Sequence, residues 1–274
     1  MFGDLIHSDI SNNNKNFADR FNKRRLALLE LIAQRYPEKK GSVLLFAPIE
    51  QDYYDFLQDS SFYYFSGVSD PANVLSWSFD EPTILYQPDF GTLRNKWIHS
   101  VDVINDDTKI LYGFDALKKT GNLLSMYNVD PYFALQDYQY LIELLTKMVV
   151  QKQTIFTLYP QHSRSYASVK MIIDRLALFV PGLMSHVVDV SDLVTTLRRK
   201  KDMAEVELMY QAVEITQMAF QAASHMIKPG VSEAEIQATM DYIFTENGAR
   251  SAYGSIIGSG KNSTILHYRT NKSI

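Results

Sequence analysis

No cysteine occurs anywhere in the 274 residues. That absence removes disulfides, thiol nucleophiles and cysteine-ligated zinc together, and it fits a reducing compartment. An excess of positive charge is missing too. Lys and Arg number 27 against 31 Asp and Glu, a net charge of −4, so no broad basic field exists and nucleic acid is not an expected partner. No stretch approaches the ~18 uninterrupted apolar residues of a membrane span. The start, Met1-Phe2-Gly3-Asp4-Leu5-Ile6-His7, lacks the basic flank and apolar run of a secretory signal. A cytoplasmic protein with no membrane partner is the expectation. What remains is ordinary globular composition, 46% hydrophobic and 21% charged, on a chain long enough for two domains.

The first dozen residues are polar, including Asn12-Asn13-Asn14, and read as a loose lead-in. Over residues 17–35 the apolar Phe21, Leu28, Leu29 and Ile32 recur at helical spacing opposite Arg20, Lys23, Arg24 and Glu30, and Pro37 and Gly41 stop the run. Strands are expected at 42–47, 62–65, 74–79 and 83–87, separated by Pro48, Gly67, Asp70-Pro71 and Glu81-Pro82. Helices near 138–150 and 165–179 then alternate with strands at 154–159 and 186–190. This order predicts one α/β domain, a mixed sheet with flanking helices, over residues 1–192.

A charge run, Leu197-Arg198-Arg199-Lys200-Lys201, marks the expected boundary, with a second domain from residue 193 to 274. It reads as a solvated turn leading into a helix rather than a nucleic-acid contact, because the chain is acidic on balance. A long amphipathic helix is expected over 202–227, with Val206, Met209, Val213, Phe220 and Ala223 on its apolar stripe. Ser232 caps a second helix, with Glu235 three residues on and Ile236, Met240, Ile243 and Phe244 facing inward, up to a C-terminal cap at Gly248. The end reads as two strands, 255–260 and 264–268, joined by a Gly/Asn turn.

The six histidines, His7, His99, His162, His186, His225 and His267, include no i, i+4 pair of the kind that binds a metal on a helix. His267 differs from the rest because it closes a strand beside a glycine loop, where a side chain can face a cleft. The loop Gly258-Ser259-Gly260-Lys261-Asn262-Ser263 is not a phosphate cradle. Its glycines do not bracket four residues, and no Lys-Ser or Lys-Thr pair opens a helix after it. The row Phe62-Tyr63-Tyr64-Phe65 reads as core, a strand covered on both sides. No serine sits in a nucleophile elbow, and no carboxylate pair has a glycosidase setting.

Taken in order, these pieces resemble the aminopeptidase P and prolidase–creatinase family of pita-bread metallopeptidases. The opening helix with residues 41–47 resembles the start of the family's N-terminal domain. Ser60-Ser61-Phe62-Tyr63-Tyr64-Phe65-Ser66-Gly67 with Asp70-Pro71 is similar to its aromatic segment and turn, with Leu57 near a position where the family has arginine and Ser61 at an acidic one. Leu197-Arg198-Arg199-Lys200-Lys201 with Glu205 and Glu207 resembles the start of the catalytic half. The most specific stretch is Gly248-Ala249-Arg250 through Tyr253, Ile257-Gly258-Ser259-Gly260, Asn262 and Leu266-His267-Tyr268.

The resemblance implies an N-terminal creatinase/prolidase-like domain followed by the incomplete first part of an α+β pita-bread domain. It implies an Xaa-Pro aminopeptidase, a homo-oligomer that takes peptides with proline at the second position. Prolidase, or a binding protein that has lost its metals, is the alternative. In the family two Asp, one His and two Glu hold two Mn²⁺ ions, whose bridging hydroxide attacks the bond before proline. His267 would line the substrate pocket and stabilise the reacting carbonyl, without binding metal. Residues 247–274 contain no Asp or Glu, and hard divalent ions need carboxylates. The acids upstream, Asp202, Glu205, Glu207, Glu214, Glu233, Glu235, Asp241 and Glu246, fall mostly on solvated helix faces. All five family ligands are therefore expected beyond Ile274, with no metal ligand inside the chain and no activity from these residues alone.

Overall fold

Residues 14–50, 56–90, 104–122 and 135–274 are described in the computed structural model; the polar lead-in, His7 and His99 lie outside them. Their contacts divide the chain between Arg199 and Lys200 into two compact units. In the first, the elements run α1 (Asn14–Arg35), β1 (Gly41–Phe46), α2 (Ser60–Ser66), β2 (Val74–Trp77), β3 (Ile84–Gln87) and β4 (Ala116–Lys119), followed by α3 (Gln139–Val150), β5 (Thr154–Thr157), α4 (Ala167–Ala177), α5 (Leu183–His186), β6 (Val187–Asp189) and α6 (Ser191–Arg199). The six strands form one sheet in the order β4-β3-β2-β1-β5-β6. β2 is antiparallel to β1 and β3, whereas β3–β4, β1–β5 and β5–β6 are parallel. The mixed sheet with flanking helices is the architecture the alternation of elements predicts.

Side-chain alternation sends each strand's apolar residues to two faces, so the central strands must be covered on both. Leu44, Phe46, Val74 and Ile155 pack with Leu141, Leu145 and Met148 of α3 and Ile172, Ile173 and Leu176 of α4. On the opposite face the Trp77 ring packs tilted against Phe65 of α2, 5.6 Å between centres, and its indole N–H donates to the Arg25 carbonyl of α1. Leu44, Leu45, Leu75, Phe62 and Phe65 are fully buried. Each such side chain contributes roughly 1.5–3 kcal/mol of transfer free energy, before conformational entropy is subtracted.

The strand expected at residues 62–65 is instead the helix α2. Asp59 caps it, accepting from the amides of Ser61 and Phe62, both at 2.9 Å. Gly67 ends it in the left-handed region, at φ 70°, donating to the Tyr63 carbonyl. These two caps decide against the β propensity of four aromatics in a row, because helical spacing puts Phe62, Phe65 and Ser66 together on the buried side. Ser61 meets the Tyr166 hydroxyl at 2.8 Å and accepts from Arg198 at 2.7 Å, while the same guanidinium reaches Ser60 Oγ at 2.8 Å. One arm of the charge run is thus a strut between α6 and α2.

Arg25 of α1 binds two other segments at once. Its guanidinium donates to Phe65 O at 2.7 Å, Gly113 O at 2.7 Å and Tyr112 O at 3.3 Å, and also to the Asn22 side chain. Burial lowers its pKa to about 10, with Asp115 pulling the other way, so it stays charged at neutral pH. Arg24 beside it lies 4.0 Å from the centre of the Tyr64 ring and donates to the Tyr64 carbonyl.

The second unit comprises α7 (Met203–Met226), α8 (Glu233–Glu246) and a 3₁₀ turn at Gly260–Thr264. The two helices pack on each other. Ala219 and Ala223 are the buried residues of α7, while Met209, Val213 and Phe220 are exposed and line an open groove with Thr216 and Gln217. The expected stripe is corrected accordingly: of its residues only Ala223 is buried, because the contact with α8 is made where small side chains let the helices approach. No strand forms at 255–260 or 264–268; in their place the chain is held by side-chain hydrogen bonds.

Candidate functional site

Both helices of the second unit begin with a capping box. Asp202 and Glu205 close the first, and Ser232 and Glu235 close the second, each side chain accepting from the other's backbone amide. Gly230, at φ 89°, makes the turn between them, and Gly248, at φ 66°, turns the chain out of α8. Residues 249–274 then fold back onto the start of α8.

What they fold onto is Glu233. Its side chain is 2% exposed, and its carboxylate collects five donors from the returning segment. The Ser259 amide (2.7 Å), the Ser259 hydroxyl (3.0 Å) and Asn262 Nδ2 (3.1 Å) reach Oε1. The Tyr268 hydroxyl (2.8 Å) and the Ser273 amide (2.9 Å) reach Oε2. In return, the Glu233 amide donates to the Ser273 carbonyl at 2.8 Å, satisfying one of the free N–H groups of the helix start. Desolvation raises the carboxyl's pKa, but the hydrogen bonds from Ser259, Ser273, Asn262 and Tyr268 outweigh it and hold the value at about 2. Glu233 is therefore an ionised anchor and not part of a solvated face.

One helical turn on, Gln237 accepts at 2.9 Å from Asn271, which is 5% exposed. Asn271 also donates to Ser255 O at 2.9 Å and accepts from the Ile257 amide at 3.2 Å, with its backbone at φ 48°. Asn262 adds bonds to the Tyr268 hydroxyl (3.2 Å) and Ser273 Oγ (2.9 Å). The glycine loop is tight at Gly258, where an added Cβ would stand 2.9 Å from the Asn262 backbone.

His267 sits in this frame on an exposed turn between Ile265 and Tyr268, not at the end of a strand. The Tyr268 amide closes the turn on the Ile265 carbonyl at 3.2 Å, and the Tyr268 ring turns inward to Glu233. The imidazole is left to solvent. Among the other described histidines, His186 is within 2.9 Å of the Gln153 carbonyl, and His162 and His225 are exposed. No group of three or more His, Asp or Glu converges among the described residues. This donor set does not fit a divalent-ion pair. Sequence reasoning missed Glu233. Nothing local separates it from Glu235, whose carboxylate only completes a cap.

The described residues thus form an α/β unit and a second unit of two packed helices with a returning segment held on Glu233. Residues 207–274 match metallopeptidase family M24. The chain is 26% identical over 267 residues to Xaa-Pro aminopeptidase of Escherichia coli (strain K12), covering 92% of this chain and 55% of that one. To the Xaa-Pro dipeptidase of Pyrococcus furiosus it is 35% identical over 79 residues, 28% of this chain and 23% of the relative. The solved structure of aminopeptidase P from E. coli superposes with a TM-score of 0.69 at 22% identity, over 93% of this chain and 56% of that one. These likenesses are to the aminopeptidase P family. It spans about half the length of the Xaa-Pro aminopeptidase it matches over most of its own length.

Proposed function

We propose that the protein acts in the release of an N-terminal residue ahead of proline, with His267 on the substrate side. The observation that carries this is the frame around Glu233. It fixes the Gly258–Lys261 loop and the His267 turn together, within the stretch that matches the M24 family. An imidazole on a held turn, exposed and beside a rigid loop, can present an N–H to a peptide carbonyl oxygen and stabilise the charge that develops there. Family M24 implies a divalent metal; we assign it as a Mn²⁺ pair whose ligands lie outside these 274 residues. The likeness to a dipeptidase over 79 residues supports prolidase as the second reading. Homo-oligomeric assembly belongs to the same proposal.

The test is to express the uninterrupted reading frame that contains residues 1–274 and to assay it with Mn²⁺ on an Xaa-Pro-Yaa tripeptide and on an Xaa-Pro dipeptide. Release of the first residue from the tripeptide supports the aminopeptidase; cleavage of the dipeptide alone supports prolidase. His267→Ala is expected to lower kcat/KM by about 10²-fold or more with metal content unchanged, by analogy with the loss of one oxyanion donor. Full activity in that variant would remove His267 from the site.

A further inference from the structure

We propose that Glu233 is the positioning residue of the His267 turn, an inference that rests on reading His267 as a substrate-facing group. His267 lies in the short loop closed between Asn262 and Tyr268, and both of those side chains end on the Glu233 carboxylate. The chain on either side of the loop is fixed to the same group, through Ser259 before it and Ser273 after it. No strand ladder supports residues 249–274, so backbone pairing does not locate the turn. Its position relative to α8 is set chiefly by this carboxylate, with the Asn271–Gln237 pair, the Ser251–Asp241 contact and the Glu233 amide on Ser273 O as further ties.

The chemistry calls for a carboxylate in particular. Each oxygen receives a backbone N–H, from Ser259 on one side and from Ser273 on the other. Glutamine has nearly the same shape but must turn an NH₂ toward one of those amides. Either orientation sets donor against donor and leaves a backbone N–H without an acceptor. Alanine removes all five acceptor contacts. Tyr268→Phe removes one donor and leaves the charge in place, and so gives a graded comparison that survives if the stronger variants fail to fold.

The experiment is amide hydrogen exchange and histidine-ring NMR on the 274-residue chain as wild type, Glu233→Gln, Glu233→Ala and Tyr268→Phe. In Glu233→Gln the amides of Ser259 and Ser273 are expected to exchange at least 10-fold faster, and the His267 ring resonance to move toward the free-histidine position. Exchange in the middle of α7 and throughout the sheet should stay unchanged. Tyr268→Phe should give the same signature at smaller amplitude. A merely structural role would lower the melting temperature and leave the native-state His267 resonance where it is; that result, or unchanged exchange at Ser259 and Ser273, overturns the proposal. No peptide enters this readout, so its failure is separate from failure of the His267→Ala assay.

Discussion

Tyr268 donates its hydroxyl to Glu233 at 2.8 Å across 35 positions of sequence, and so joins the residue after His267 to the first turn of α8. The bond explains why the turn needs no sheet. The ring is drawn inward by a buried anion, and the neighbouring imidazole is left outside.

That anion gives the terminal segment an acid limit. The folded pKa of Glu233 is about 2, below the ordinary 4.5, so its contribution is fully present above pH 4.5 and is lost as the pH falls toward 2. Glu235, also lowered by hydrogen bonds from the Ser232 amide and hydroxyl, acts in the same direction on the cap of α8. The difference in Ser259 and Ser273 amide protection between wild type and Glu233→Gln should be constant from pH 7 to 5, shrink below 4.5 and vanish near 2. A difference independent of pH across that window would mean the carboxylate charge is not what holds the segment.

Arg25 is expected to behave as a structural cation. Arg25→Ala orphans buried carbonyls at Phe65, Tyr112 and Gly113 and should cost about 3 kcal/mol in denaturant unfolding of the first unit. Arg25→Lys should recover only part of this, because one ammonium cannot span three carbonyls on two separate segments. Full recovery by lysine would mean that charge alone matters and the forked geometry does not.

Gly67→Ala combines two penalties. The backbone is at φ 70°, and an added Cβ would stand 2.6 Å from the Phe21 ring. About 1–2 kcal/mol for the left-handed conformation, together with the overpacking, predicts a loss of roughly 2–4 kcal/mol. The melting temperature of the first unit should fall by about 5–10 °C. A neutral result would require the helix α2 to end differently in solution.

All strands of the sheet but β4 were legible because they are short apolar runs between turn residues, and because a parallel connection needs the helices that periodicity reveals at α3 and α4; the half-polar Ala116–Lys119 gave no such signal. The aromatic row was misread for a physical reason. Phe62 and Tyr63 favour strands, but the caps at Asp59 and Gly67 close a seven-residue helix, and its burial decides the matter. The terminal strands failed differently: the β-branched and glycine pattern at 255–268 lacks a ladder partner among the described residues, and hydrogen bonds to Glu233 and Gln237 take its place. Glu233 itself was illegible, since its donors come from residues up to 40 positions away. Periodicity placed it on a polar face, and only tertiary contact shows that face covered.

The boundary proposed near residues 193–201 is expected to be the first interior site cut by protease. α6 runs helical through Arg199, and Lys200 and Lys201 follow exposed and outside any helix. Brief trypsin treatment should cut at Arg199, Lys200 or Lys201 before cutting within any described helix or strand. It should release a fragment of residues 200–274 or shorter by one or two residues, identifiable by mass. Earlier cleavage inside α2 would sink the boundary.

The 274-residue chain alone is expected neither to bind paired Mn²⁺ tightly nor to hydrolyse Xaa-Pro peptides. A pair of hard divalent ions carries four positive charges and needs several converging carboxylates. No Asp or Glu follows Glu246, and Glu233, the one buried carboxylate of the second unit, already accepts five hydrogen bonds. Recruiting it to a metal would break the frame that holds Tyr268 and Ser273. Isothermal titration should accordingly give no saturable two-site Mn²⁺ binding below the millimolar range, and the terminal segment's amide protection should be the same with and without EDTA. Tight binding at two sites, with turnover of a chromogenic Xaa-Pro substrate, would show that acids now read as capping or solvated groups on α7 and α8 converge as ligands. The assignment of the second unit would then have to be rebuilt around them.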